Sequence, residues 1–150
     1  MADEKTYITS EDEETRMLGQ KLAKDLKEKN FLAFYGNLGS GKTTFIQGLA
    51  LGLKIKRRII SPTFIIVRSY KTKSKIKNQK SKIFYHIDLY RTQTENDLLS
   101  VGLEEISKEK NNIVAVEWAE KMGSLMPKKR IDLHFEYLEN NRRKITIKYI

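Results

Sequence analysis

Two hydrophobic periodicities alternate along this chain. After the polar, capping-rich run Thr9-Ser10-Glu11-Asp12-Glu13-Glu14, the apolar residues Met17, Leu18, Leu22, Ala23 and Leu26 recur at helical spacing. This predicts a helix that opens on the acidic run and extends to Asn30. Phe31-Leu32-Ala33-Phe34-Tyr35 is unbroken apolar and aromatic, the pattern of a buried strand. Helical spacing returns in Thr44-Phe45-Ile46-Gln47-Gly48-Leu49-Ala50 and runs to about Leu51, with Gly52 as the expected C-cap. Further on, Ile65–Tyr70 reads as a strand and Ile83–Leu89 as its hairpin partner. Glu95–Leu99 and Leu103–Lys108 read as two short helices hinged near Gly102. Ile113-Val114-Ala115-Val116 is continuous and apolar, a strand buried on both faces that ends in Glu117-Trp118. After a turn at Met126-Pro127, Ile131–Phe135 and Lys144–Ile150 alternate and form a terminal hairpin through Asn140-Asn141. The expected fold is α/β: a single domain over residues 1–150, its mostly parallel central sheet flanked by helices and extended by antiparallel strands.

Between the first predicted strand and the helix that follows it lies Gly36-Asn37-Leu38-Gly39-Ser40-Gly41-Lys42-Thr43, which fits G-x-x-x-x-G-K-[ST] at every required position. The strand–turn–helix setting turns a string match into a phosphate site and makes the domain a P-loop NTPase. Glycines let the backbone curl until successive N–H groups point inward, and the helix start adds its own free N–H groups. Residues Asn37, Leu38, Gly39, Ser40, Gly41, Lys42, Thr43 and Thr44 are therefore the expected nucleotide cradle. In it Lys42 reaches the outer phosphates and Thr43 offers a hydroxyl to Mg2+.

Such a loop needs an acid to hold the metal, and acids for this purpose sit at the carboxyl ends of neighbouring strands. Glu117, after four apolar residues, has the form of a Walker B acid; Asp88 closes another predicted strand. As a pair, one would hold Mg2+ through water while the other orients the attacking water. Taken singly, each also reads as a surface carboxylate or helix cap. Ser61-Pro62-Thr63 stands one element after the loop helix, where nucleotide switches place a γ-phosphate sensor, and reads equally as a turn. Trp118 reads as core or as a site wall, and His86, Tyr90 and Arg91 around Asp88 as ordinary packing or surface.

Composition narrows the classes. The 150-residue chain contains no cysteine and two histidines, which excludes disulfides and thiolate metal sites and disfavours a zinc site. No apolar run approaches membrane-span length and the acidic start does not resemble a signal peptide, so the expectation is a soluble, cytoplasmic protein. The net charge of +10 raises the question of nucleic acid. Six lysines fall in the polar stretch Lys71–Lys82, which by composition is a basic, solvated loop. There is no N-K-x-D guanine signature and no arginine-rich lid, which speaks against a GTPase and a small-molecule kinase.

The ordered set G-N-L-G-S-G-K-T-T-F, S-P-T-F, H-I-D-L-Y-R, V-G-L-E-E and E-W resembles the TsaE family, the bacterial P-loop ATPases of tRNA N6-threonylcarbamoyladenosine biosynthesis. The resemblance extends from about Glu13 to the terminal hairpin. It implies ATP with Mg2+ as substrate and, as partners, TsaD and TsaB, the heterodimer that modifies adenosine 37 of ANN-decoding tRNAs. Contact with tRNA would be indirect, through that complex, which hydrolysis would drive or reset. By motif, Lys42 and Thr43 take the phosphate and magnesium roles, Glu117 the metal-linked acid and Asp88 the residue needed for hydrolysis. Lys42, Asp88 and Glu117 are thus the expected catalytic set, with Thr43 and Glu117 on the metal. Thr63 and Trp118 match the switch motif and the tryptophan beside the acid. Two departures stand out: Asn37 where the family commonly has aspartate, and the long lysine loop. A small P-loop kinase and a nucleotide-regulated RNA-binding module are the competing readings.

Overall fold

The computed structural model of the chain describes residues 3–26, 30–59, 66–72 and 82–150. Its elements are β1 (Asp3–Thr9), α1 (Asp12–Asp25), β2 (Phe31–Tyr35), α2 (Lys42–Gly52), β3 (Val67–Lys71), β4 (Ile83–Asp88), α3 (Glu95–Ser100), α4 (Leu103–Lys108), β5 (Asn112–Glu117), a 3-10 segment (Ala119–Leu125), β6 (Ile131–Tyr137) and β7 (Arg143–Tyr149). Ser61-Pro62-Thr63-Phe64, the start of the strand expected at Ile65 and residues 73–81 of the lysine loop lie outside the described residues.

Seven strands form one sheet in the order β1-β7-β6-β2-β5-β4-β3. The four central strands run parallel, through β6–β2, β2–β5 and β5–β4. Antiparallel pairs close both sides: β4–β3 on one, β6–β7 and β7–β1 on the other. The expected parallel centre with added antiparallel strands is what the chain builds. At the closing turn of the β6–β7 hairpin, Asn140 and Asn141 both hold positive φ, 62° and 60°.

Strand alternation sends successive side chains to opposite faces and makes two cores. On one face Leu32 and Phe34 of β2 pack with α1 and α2; on the other Phe31 and Ala33 pack with α3, α4 and the 3-10 segment. Phe34, Phe45 and Phe135 meet with ring centroids 5.5 to 5.8 Å apart, which fixes α2 against β2 and β6 directly beneath the glycine loop. Each of these rings, removed from water, contributes about 1.5–3 kcal/mol.

Three sequence expectations are corrected. The strand β1 was not anticipated: only Tyr7 and Ile8 are apolar in Asp3–Thr9, and its side chains are mostly exposed. It forms because its backbone pairs along the whole of β7, from Asp3↔Tyr149 to Thr9↔Arg143. Helix α1 closes at Asp25 rather than Asn30, where Leu26 turns to extended backbone (ψ 116°). Gly52 is the last residue of α2 and not its C-cap, which is Leu53. Its lack of a side chain serves packing: a Cβ on Gly52 would lie 2.5 Å from the Ala23 Cβ, and one on Gly48 only 1.9 Å from the Arg16 carbonyl oxygen. The two helices press together on those glycines.

Candidate functional site: the phosphate loop and two strand ends

The loop leaves β2 at Gly36 (φ 142°), turns through Gly39 (φ 78°) and enters α2 at Gly41 (φ 103°). Left-handed backbone is where L side chains are strained, so Gly41 can cap α2 there at no steric cost. Ser40 is buried, and its hydroxyl oxygen has no hydrogen-bond partner. Asn37 turns the loop through its carbonyl, which accepts from the Ser40 N–H at 3.2 Å, and its side chain faces solvent.

Lys42 is 4% exposed, and its amine donates to the Gly36 carbonyl. The same amine sits 4.0 Å from the centre of the Trp118 ring. Burial pulls its pKa down from the ordinary lysine value, against the opposing charges of Glu117, Glu120 and Asp88. The cation is held in place without being neutralised by a direct carboxylate bond.

Parallel register brings the acids in. Asp88 at the end of β4 and Glu117 at the end of β5 are paired residues across the two strands, on the face that α2 covers. Glu117 is 3% exposed; one carboxylate oxygen accepts from the Thr43 hydroxyl at 3.3 Å and the other meets His86 Nε2 at 2.6 Å. His86 is fully buried and its Nδ1 has no partner. A carboxylate oxygen only accepts, so the contact calls for a proton on His86 Nε2, which donates to Glu117. Asp88 accepts from the Tyr90 backbone N–H at 2.9 Å. Burial raises its pKa, with the nearby Glu117 charge adding to the effect and the Tyr90 N–H opposing it.

Trp118 adopts left-handed backbone (φ 60°, ψ 43°), uncommon for so large a residue. Its ring lies 5.1 Å from that of Tyr90, whose carbonyl accepts from Lys121. The strained turn carries the indole from the strand end over Lys42, and strain of this kind collects at functional sites.

Together these residues enclose a cleft of about 260 Å³. The loop and α2 supply Leu38, Gly39, Gly41, Lys42, Thr43 and Thr44, and the strand ends supply Asp88, Glu117 and Trp118. Asp12 from the start of α1 and Arg143 from β7 complete the rim. The structure thus brings together Lys42, Thr43, Thr44, Asp88, Glu117 and Trp118; Thr63 lies outside the described residues. His86, Asp12 and Arg143 were not singled out for the site in the sequence. For His86 a signal existed, because it stands two residues before Asp88 on a strand and so shares its face. Asp12 falls in Ser10–Thr15, a segment that by resemblance lies near the nucleotide base although no single side chain in it stands out, and Arg143 carries no local signature.

The donor set fits Mg2+ bound with phosphate. Among the described residues no group of three His, Cys, Asp or Glu side chains could hold a metal alone. One hydroxyl and one carboxylate, in contact beside an anion nest, leave positions for phosphate oxygens and water, the coordination magnesium prefers. The unpartnered Ser40 hydroxyl and the Lys42 amine, resting on a backbone carbonyl, are further groups that a phosphate would engage.

The fold and this cleft define an α/β protein of the P-loop class. The family described as Threonylcarbamoyl adenosine biosynthesis protein TsaE matches over residues 9–145. The tRNA threonylcarbamoyladenosine biosynthesis protein TsaE of Aquifex aeolicus is 35% identical over 145 residues, 95% of this chain and 95% of its own length. The protein of that name in Bacillus subtilis is 33% identical over 93% of this chain and 82% of its own length. The crystal structure of Bacillus subtilis YdiB superposes with a TM-score of 0.78 at 28% identity, covering 100% of this chain and 88% of that one. The chain belongs to the TsaE family of tRNA threonylcarbamoyladenosine biosynthesis proteins. No helix among the described residues is long and apolar enough to cross a membrane.

Proposed function

We propose that this protein binds and hydrolyses Mg-ATP as an accessory of tRNA threonylcarbamoyladenosine formation, acting on the TsaD–TsaB heterodimer. The observation that carries the reading is the Thr43–Glu117 contact across the mouth of the phosphate loop, with Asp88 paired to Glu117 in the next strand. Family membership supports the pathway, and the names of the relatives supply its product.

Each residue then has a physical task. Lys42 exchanges the Gly36 carbonyl for the outer phosphates as a mobile point charge, and Trp118 keeps it from wandering. Thr43 and Glu117 would hold Mg2+, which when bound neutralises phosphate charge and orients the nucleotide. His86 fixes the Glu117 carboxylate from behind. Asp88, made more basic by burial, accepts a hydrogen bond from the attacking water and takes its proton. Turnover by the isolated chain would be slow, because the charge developing on the transferred phosphoryl group needs stabilisation that a partner can supply in trans.

Co-purification with TsaD and TsaB, with and without ATP, tests the partnership. The reading predicts a complex whose stability changes with nucleotide. Phosphorylation of a small acceptor by the chain alone would instead mark a kinase.

A further inference from the structure

The two acids of the cleft stand at strand ends, and the chain beyond each end is tied to the other. After β4, Asp88 Oδ1 accepts from the Tyr90 backbone N–H at 2.9 Å. The Leu89 carbonyl accepts from the Thr92 N–H at 3.0 Å and from the Thr92 hydroxyl at 2.8 Å. Across the sheet, the Leu89 N–H donates to the Glu117 carbonyl at 3.1 Å. None of these bonds uses the carbonyls of Tyr90 and Thr92. One side chain from another element meets both: the Lys121 amine donates to the Tyr90 carbonyl and, at 3.2 Å, to the Thr92 carbonyl.

Lys121 reaches them from the start of the 3-10 segment, where its own N–H donates to the Trp118 carbonyl at 3.1 Å. It is an exposed residue, and its ammonium makes no ion pair among the described residues. A surface lysine ordinarily leaves its charge to water, because fixing so long a side chain costs rotamer entropy. Here two carbonyl dipoles and the Tyr90 ring, 5.8 Å away, give the cation a seat. The Tyr90 ring in turn packs 5.1 Å from Trp118. The ammonium therefore fastens the stretch after Asp88 onto the stretch after Glu117. The N–H that holds Asp88 and a carbonyl that holds Lys121 belong to the same residue, Tyr90.

We propose that Lys121 is a positioning residue for Asp88: it fixes the turn 88–92, so that the Tyr90 N–H keeps one carboxylate oxygen in place and leaves the other for the attacking water. The proposal rests on the ATPase reading above, in which Asp88 takes that water's proton, and adds what holds the base in register. Glu117 and Thr43 are fixed separately, by His86 and by each other. Loss of Lys121 thus disturbs the base and spares the groups that would hold metal and phosphate.

The test compares the full chain as wild type, Lys121→Met, Lys121→Arg and Lys108→Met. Phosphate release is read at saturating Mg-ATP with TsaD–TsaB present, ATP affinity by titration, and amide hydrogen exchange on each chain alone. Lys121→Met keeps the apolar stem and removes the donor. It should lower kcat about tenfold while ATP affinity stays within about twofold, because misplacing a catalytic group penalises the chemical step. Exchange of the Tyr90 amide proton should be faster, since the turn opens more often. Lys121→Arg, which can donate to both carbonyls, should recover most of the rate. Lys108 pairs with Glu104 on the exposed face of α4, so Lys108→Met should release phosphate like wild type. Wild-type release by Lys121→Met, slower release explained by lost ATP affinity, or equal impairment in Lys121→Arg and Lys121→Met would overturn the proposal. So would slower release with unchanged exchange at Tyr90, which would set the lysine against the heterodimer instead. Absence of release by wild type with TsaD–TsaB defeats the ATPase reading itself, whereas normal wild-type release with an unaffected Lys121→Met defeats this inference alone.

Discussion

His86 Nε2 and Glu117 Oε2 lie 2.6 Å apart with both side chains buried, while the other Glu117 oxygen reaches the Thr43 hydroxyl. The imidazole is the fixed point from which the carboxylate faces the phosphate loop. In His86→Leu, Glu117 stays buried without its donor, so the fold should lose about 1–3 kcal/mol in denaturant unfolding. The Mg2+ dependence of ATP binding should weaken as well, and His86→Gln, which can still donate, should recover part of it. Equal magnesium dependence in wild type and His86→Leu would reduce the pair to packing.

Lys42 is buried at an electrostatic disadvantage, shown by its lowered pKa. Lys42→Met should therefore leave thermal stability unchanged or raise it, while weakening ATP binding at least about tenfold, the loss of one charge-assisted contact of about 1.5–3 kcal/mol. Calorimetric titration and thermal melts check the two halves. A large drop in stability would show that the lysine holds the loop rather than the ligand.

Asp88 carries a function–stability conflict whose sign can be worked out. Its folded-state pKa is raised above the ordinary 3.8, so between 3.8 and the raised value the folded chain binds more protons than the unfolded one. Stability therefore falls as pH rises through that window and stays lowered above it. Asp88→Asn should stabilise the fold at neutral pH, with the gain vanishing below the ordinary carboxylate value. It should retain ATP binding yet lose hydrolysis by about 10²-fold or more, the scale of general-base catalysis. Melts across pH and phosphate release separate these effects.

Gly48→Ala should be strongly disruptive although alanine favours helices. The new Cβ would meet the Arg16 carbonyl at 1.9 Å, a backbone atom that moves only if α1 moves. Overpacking of this kind costs about 1–3 kcal/mol or more. Urea unfolding gives the number, and a neutral result would mean that α1 shifts freely.

The sequence made the central layer legible because strands buried on both faces are apolar runs, and β2 and β5 are such runs. The phosphate loop was legible because it is contiguous and its glycines are demanded by geometry. Asp88 and Glu117 followed from the rule that ligands gather at strand ends. What escaped depends on partners distant in the chain. The polar strand β1 exists because β7 offers a free edge. The 3-10 segment Ala119–Leu125 has no helical repeat and is interrupted by Gly123 at φ 54°. Gly52 looked like a cap, and only the Ala23 side chain opposite explains it. His86 looked like packing, and only the β4–β5 register brings it to Glu117.

The most direct measurement is phosphate release from Mg-ATP by wild type and Asp88→Asn, each alone and with TsaD–TsaB. The account predicts slow release by wild type alone, faster release with the heterodimer, and almost none by Asp88→Asn in either setting despite bound nucleotide. Undiminished release by Asp88→Asn, or wild-type release that ignores the heterodimer, would contradict it.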